Sequence, residues 1–272
     1  MYVVLLRLAL GLYSVGLLHS VLTVLKKKHT IFKPALVAVI VGFACHAASI
    51  VLRGMEVHSL PITQTYEAFS FYGALTALGF LVAYAKYRIA PLSVFVFPLI
   101  FIMTFVANLS YDQSSSVPVM LRSKWIYIHI PLVFLGFTAL FLAFAAAVMY
   151  LLQARELKSK HATMFHNRLP SLEVCDDLAY KSLAIGFPLI TLGIVSGALW
   201  AQAVWGSTWP KDIKVMLSFV TWFVYLVLIH YRLIAGWRGK KAAYLAIVGF
   251  IGVLLTFLAA NPFGGGLHKF YQ

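Results

Sequence analysis

Acidic residues are scarce in this sequence: 8 Asp and Glu stand against 22 Lys and Arg in 272 residues. Charged residues of both signs make up 11% of the chain and hydrophobic ones 62%. That balance excludes a water-soluble globular domain, in which about a quarter of residues are charged. Cysteine is almost missing as well. Cys45 and Cys175, the 2 present, lie far apart, so no disulfide framework is indicated. No C-x-x-C-H run occurs, and the chain is therefore not itself a c-type cytochrome. Nor is there an arrangement of Ser, Cys or carboxylate side chains that reads as a nucleophile with its base. The net charge of +14 is not gathered into a soluble basic module, so nucleic acid is not the expected partner. It reads instead as membrane topology and contact with anionic lipid.

What the chain has in abundance is long apolar runs. At about 20 residues per crossing of a bilayer core, eight candidate spans emerge: 2–25, 34–52, 66–85, 90–107, 125–152, 178–203, 214–234 and 242–260. The expected fold is an all-α integral membrane protein, a bundle of about eight transmembrane helices forming a single transmembrane domain over 1–272. The first run is long enough to span and lacks a small-residue cleavage site, so it reads as a retained helix. Pro98 falls inside the fourth run, where a bundle can re-satisfy the freed carbonyl. Basic residues concentrate in the odd loops: Lys26, Lys27, Lys28 and Lys33, then Lys86 and Arg88, then Arg155, Lys158, Lys160 and Arg168, then Arg232, Arg238, Lys240 and Lys241. By the positive-inside rule these loops face the cytoplasm and both termini face outward, in a multi-pass protein of the bacterial inner membrane. The fifth loop, 153–177, reads as a short surface helix or an ordered linker.

Topology sorts the nine histidines. His29, His161 and His166 fall in inner loops and read as solvated; His19 and His58 have no neighbouring motif and read as structural. His46 and His230 lie inside spans, where a polar ring is costly and calls for a partner. For either alone, a hydrogen bond to a neighbouring helix is a sufficient explanation. His129 lies one turn beyond Trp125 at i, i+4. Its helix end, the segment WGSTWPKDIK (205–214) and the tail bearing His268 are all expected on the outer side. Two histidines and an aromatic shelf of Trp205 and Trp209, with Gly206 between them, would suit a flat apolar macrocycle with two axial positions. Lys211, Lys214, Lys124 and Arg122 are available for its propionates. An interfacial aromatic belt also explains tryptophans, although a belt requires neither the glycine nor the histidines. Asp212 would orient a ligand or cap the seventh helix.

These segments resemble the cytochrome c assembly superfamily, the haem-handling membrane proteins of the CcsA/ResC, CcmC and HemX-like kinds. Its tryptophan-rich loop, approximately W-G-x-x-W-x-W-D-P-K-E, is matched by Trp205, Gly206, Trp209, Asp212 and Lys214, followed by Trp222 and by His230-Tyr231-Arg232. GGGLHKFY is similar to the family's G-L-H-S-Y ending, and KWIYIHIPLVFLGF and LPITQTYEAFSF resemble two further family segments. Lys211, Ile213 and Val215 depart from the motif, which places the chain toward the shorter HemX-like branch.

The resemblance implies haem b held by His129 and His268 at the outer loop, with Trp125, Trp205, Gly206, Trp209 and Asp212 around it. It implies a second, inner haem at His230, whose other ligand comes from a ResB/CcsB-like partner or from His46. At 1.5 Å per residue, however, His46 lies about 18 Å from the inner start of its helix and His230 only about 6–8 Å from its inner end. The implied role is presentation of haem for attachment to apocytochrome c, as the membrane subunit of an attachment system. Two alternatives stay open: a HemX-like regulatory role in haem synthesis, and a small-molecule or ion transporter. The transporter lacks the paired intramembrane carboxylates and inverted repeat expected of it.

Overall fold

The computed structural model describes residues 1–26, 32–111, 123–158, 169–208 and 213–258. Among them the secondary structure is helical: α1 Tyr2–Lys26, α2 Phe32–Val57, α3 Thr65–Tyr87, α4 Leu92–Leu109, α5 Ile126–Glu156, α6 Leu172–Trp205, α7 Ile213–Leu233 and α8 Lys240–Leu258. All eight have the length and apolarity to cross a membrane. A helix satisfies its backbone within its own segment, which lipid demands. Two helices run well past their apolar windows. Arg53 and Glu56 ended the second window, yet α2 continues to Val57; Glu173, Asp176 and Asp177 delayed the sixth, yet α6 begins at Leu172. Arg53, Glu56, Asp176 and Asp177 find ionic partners, so the helical hydrogen-bond ladder continues beyond the hydrocarbon-like stretch.

The helices gather into two compact units, the first comprising 1–115 and 152–174, the second 116–151 and 175–272. In the first, α1 and α2 meet through glycine. A Cβ on Gly42 would come within 2.9 Å of the Tyr13 ring, and one on Gly16 within 2.9 Å of Val39. Small residues let helix backbones approach closely where lipid supplies no hydrophobic drive for association. Polar cross-links add to this packing, with Ser20 and Ser93 joining α1 to α4 at 2.5 Å.

At one end of this unit Glu67, 2% exposed at its side chain, is almost enclosed. Its Oε2 accepts from the Thr63 and Gln64 amides, both at 3.1 Å, and its Oε1 accepts from Arg53 Nε at 2.9 Å. The carboxylate thereby fixes the entry of α3 and ties it to α2, satisfying orphan amides of a helix start.

In the second unit α5 and α6 run antiparallel along a glycine seam. Added Cβ atoms at Gly186, Gly136, Gly193 and Gly197 would meet Leu140, Ile190, Val133 and His129 respectively, each within 2.8 Å. The pairs proceed in opposite directions along the two helices and end at His129. α7 and α8 meet in the same manner, Gly249 against the Tyr225 ring and Gly252 against Thr221. At the far end of α6, Asp176 accepts a two-pronged bond from Arg232 at 3.0 and 2.6 Å, and also the Gly239 amide at 3.1 Å. A guanidinium fork matched to a carboxylate is the strong form of this contact. Asp176 thus joins α6, the end of α7 and the turn into α8.

Candidate functional site

His129 occupies the first turn of α5. The Trp125 carbonyl accepts the His129 amide at 2.9 Å, so Trp125 stands at the helix start, one turn before the histidine. This is the i, i+4 relation that the sequence suggested. The imidazole is half-buried and makes a 2.8 Å hydrogen bond from Nδ1 to the Gly193 carbonyl of α6. Its ring is stacked with that of Trp200, with centroids 6.1 Å apart and planes 18° apart. Trp200 in turn meets Trp205 edge-on at 5.1 Å. Trp200 and Ile126 are buried, and Trp125, Tyr127, Ile130, Val204 and Trp205 pack around them. The result is an imidazole set beside an apolar aromatic wall.

Sequence reasoning missed Trp200, the central ring of that wall. A signal was present: Trp200 lies five residues before Trp205 on one apolar run, and the antiparallel register places it beside the first turn of α5. Gly193 and Gly197 were missed too, although a glycine pair four residues apart in an apolar run marks a close helix contact.

Gly206 ends α6. Its φ of +68° is left-handed, its amide bonds the Gln202 carbonyl at 3.1 Å, and none of the described residues would obstruct a Cβ there. The glycine is therefore required by backbone conformation rather than by space, as a helix C-terminal stop. It turns the chain immediately after Trp205. Trp209, Asp212 and His268 lie outside the described residues, as do Lys211 and Arg122.

The two intramembrane histidines differ from His129 and from each other. His230, near the end of α7, is exposed on the surface of its unit, edge-on to Tyr231 at 5.8 Å. Tyr231 stacks on Trp237 at 4.4 Å. The arginine of the His230-Tyr231-Arg232 run is the partner of Asp176, which anchors this end of α7. His46 is fully enclosed at 0% exposure. Its Nε2 lies 2.9 Å from the Ser70 hydroxyl and its Nδ1 3.4 Å from that of Tyr13. It joins α1, α2 and α3, and both nitrogens are engaged.

Among the described residues no group of three or more His, Cys, Asp or Glu side chains converges as a metal site. Among the described residues the aromatic wall carries one imidazole, that of His129.

The family model of the cytochrome C assembly protein matches residues 8–268. The cytochrome c biogenesis protein CcsA of Guillardia theta is 31% identical over 251 residues, covering 84% of this chain and 82% of that protein. The CcsA of Prochlorococcus marinus strain MIT 9301 is 30% identical over 267 residues, covering 90% of this chain and 86% of the relative. Among solved structures, the cytochrome c heme lyase CcmF aligns with a TM-score of 0.67 at 20% identity. That alignment covers 93% of this chain but 46% of CcmF, so the chain spans less than half of CcmF and the likeness concerns the fold. With the family match running through seven of the eight helices and into the first, the chain belongs to the cytochrome c assembly protein family and is a multi-pass membrane protein of cytochrome c biogenesis.

Proposed function

We propose that this chain carries haem b as cargo at the outer face of a bacterial inner membrane, with His129 and His268 as axial ligands, and presents it to apocytochrome c. The reading rests chiefly on one observation: the His129 imidazole and the Trp200–Trp205 wall form a single packed structure. The residues fit such a group. A flat macrocycle needs an apolar face to lie on, an imidazole aimed at its iron, and cations for its propionates. The wall supplies the first and His129 the second, while Lys124, two residues before Ile126, and Lys214 are candidates for the third.

The chain's own contribution is to hold and orient. His129 fixes the iron's position relative to α5, the tryptophans exclude water from one face, and the turn at Gly206 brings the start of the motif loop next to them. Bound haem supplies the vinyl groups to which the two thiols of a reduced C-x-x-C-H segment add. A rate gain in such a reaction comes from positioning two partners. Exposure of His230 fits a second haem whose other ligand comes from a ResB/CcsB-like subunit, whereas the two hydroxyls on His46 count against His46 in that role.

The test is the visible spectrum of the protein purified from haem-replete cells. The expected result is a Soret band with low-spin α and β bands, lost in the His129→Ala, His268→Ala double variant. A colourless wild-type protein overturns the proposal and favours a regulatory role of the HemX-like kind.

A further inference from the structure

We infer that the Gly193 carbonyl and the bare Cα of Gly197 are the positioning elements that select which nitrogen of His129 faces a ligand. The inference rests on the reading of His129 as a haem ligand and goes beyond it to residues of α6 outside the tryptophan-rich motif. A carbonyl oxygen only accepts hydrogen bonds, so the 2.8 Å contact requires the proton of the neutral ring to be on Nδ1. Nε2 is then the lone-pair nitrogen. Metal-binding histidines commonly donate their other N–H to a carbonyl or carboxylate in this way, which fixes both tautomer and ring orientation and raises ligand basicity.

Three contacts from α6 hold the ring. The Gly193 carbonyl accepts the hydrogen bond from Nδ1. Gly197 provides the floor: a Cβ there would stand 2.7 Å from Cε1 and 3.0 Å from Nδ1, so any side chain displaces the imidazole. Trp200 covers a ring face. These residues follow one another at intervals of four and three, which places them along one face of a helix. Ser196 shares the acceptor, its hydroxyl donating to the Gly193 carbonyl at 2.9 Å.

Two measurements test this. The first uses the full chain, prepared without haem in detergent with ¹⁵N-labelled histidine, the His129 signals being assigned by their loss in His129→Gln. The neutral ring is expected with its proton on Nδ1. A ring protonated on Nε2, or averaging between the two forms, overturns the inference and leaves the haem reading intact.

The second uses the His129→Gly variant incubated with haem and a free base, of which imidazole can bond the Gly193 carbonyl and 1-methylimidazole cannot in the same pose. Imidazole is expected to restore the low-spin spectrum at a concentration about tenfold lower, the lower end of what an orienting partner contributes to metal affinity. Equal potency of the two overturns the inference. Gly197→Ala provides a third arm: loss of the Nδ1-protonated signature with the helical content retained is expected, and an unchanged His129 signal counts against the seat. Wild-type protein that is colourless overturns the haem reading instead, and the tautomer, measured without haem, still decides the orienting contact.

Discussion

His46 and His129 stand on helices of similar apolarity, yet their surroundings differ in kind. Around His46 are two hydroxyls, from Tyr13 and Ser70, which can donate or accept and so suit either tautomer. Around His129 are a carbonyl, which fixes one tautomer, and an aromatic ring stacked on the imidazole. The first arrangement consumes a histidine as a three-helix cross-link. The second holds a histidine in one tautomer beside an aromatic wall. Polarity inside a membrane span thus marks a residue that needs a partner, and the chemistry of that partner separates scaffold from site.

Substitutions can break this contrast, in order of their expected cost to stability. Trp200→Ala removes the buried ring behind His129 and is expected to cost about 3–5 kcal/mol. Bound haem should fall in the same step; unfolding in detergent and the Soret absorbance per protein check both. His46→Ala opens a cavity and leaves two buried hydroxyls without their partner, at about 3 kcal/mol. Haem per folded molecule should stay at the wild-type level, and a colourless but folded His46→Ala would place His46 among the ligands. His129→Ala reverses the pattern, changing stability by about 1 kcal/mol, the worth of its carbonyl bond, while outer-site haem is lost. Gly206→Ala forces a β-carbon into the left-handed region at about 1 kcal/mol. It should loosen the end of α6 beneath Trp205, seen as faster hydrogen exchange over residues 202–206.

Much of the fold was legible because lipid allows few solutions. Any apolar run of about 20 residues in this chain must close its own backbone bonds, so counting runs counts helices. Helix ends were less legible. Charges such as Arg53 and Asp176 look like loop signals, and their ion pairs with Glu67 and Arg232 lie 14 and 56 residues away in sequence. At the site, His129, Trp125 and Trp205 were legible through helical spacing and motif order. Trp200, Gly193 and Gly197 were not, because their significance arises from the antiparallel packing of α6 on α5. No local pattern in either helix specifies that register; it follows from which glycines face which side chains.

The sequence by itself determined the solvent and the helix count, since composition and periodicity act locally along the chain. Only the tertiary structure decided that His46 is occupied, that His230 is exposed and that His129 donates a hydrogen bond to the Gly193 carbonyl. Those outcomes depend on which atoms of distant segments come within hydrogen-bond distance, and a linear pattern carries no such distances.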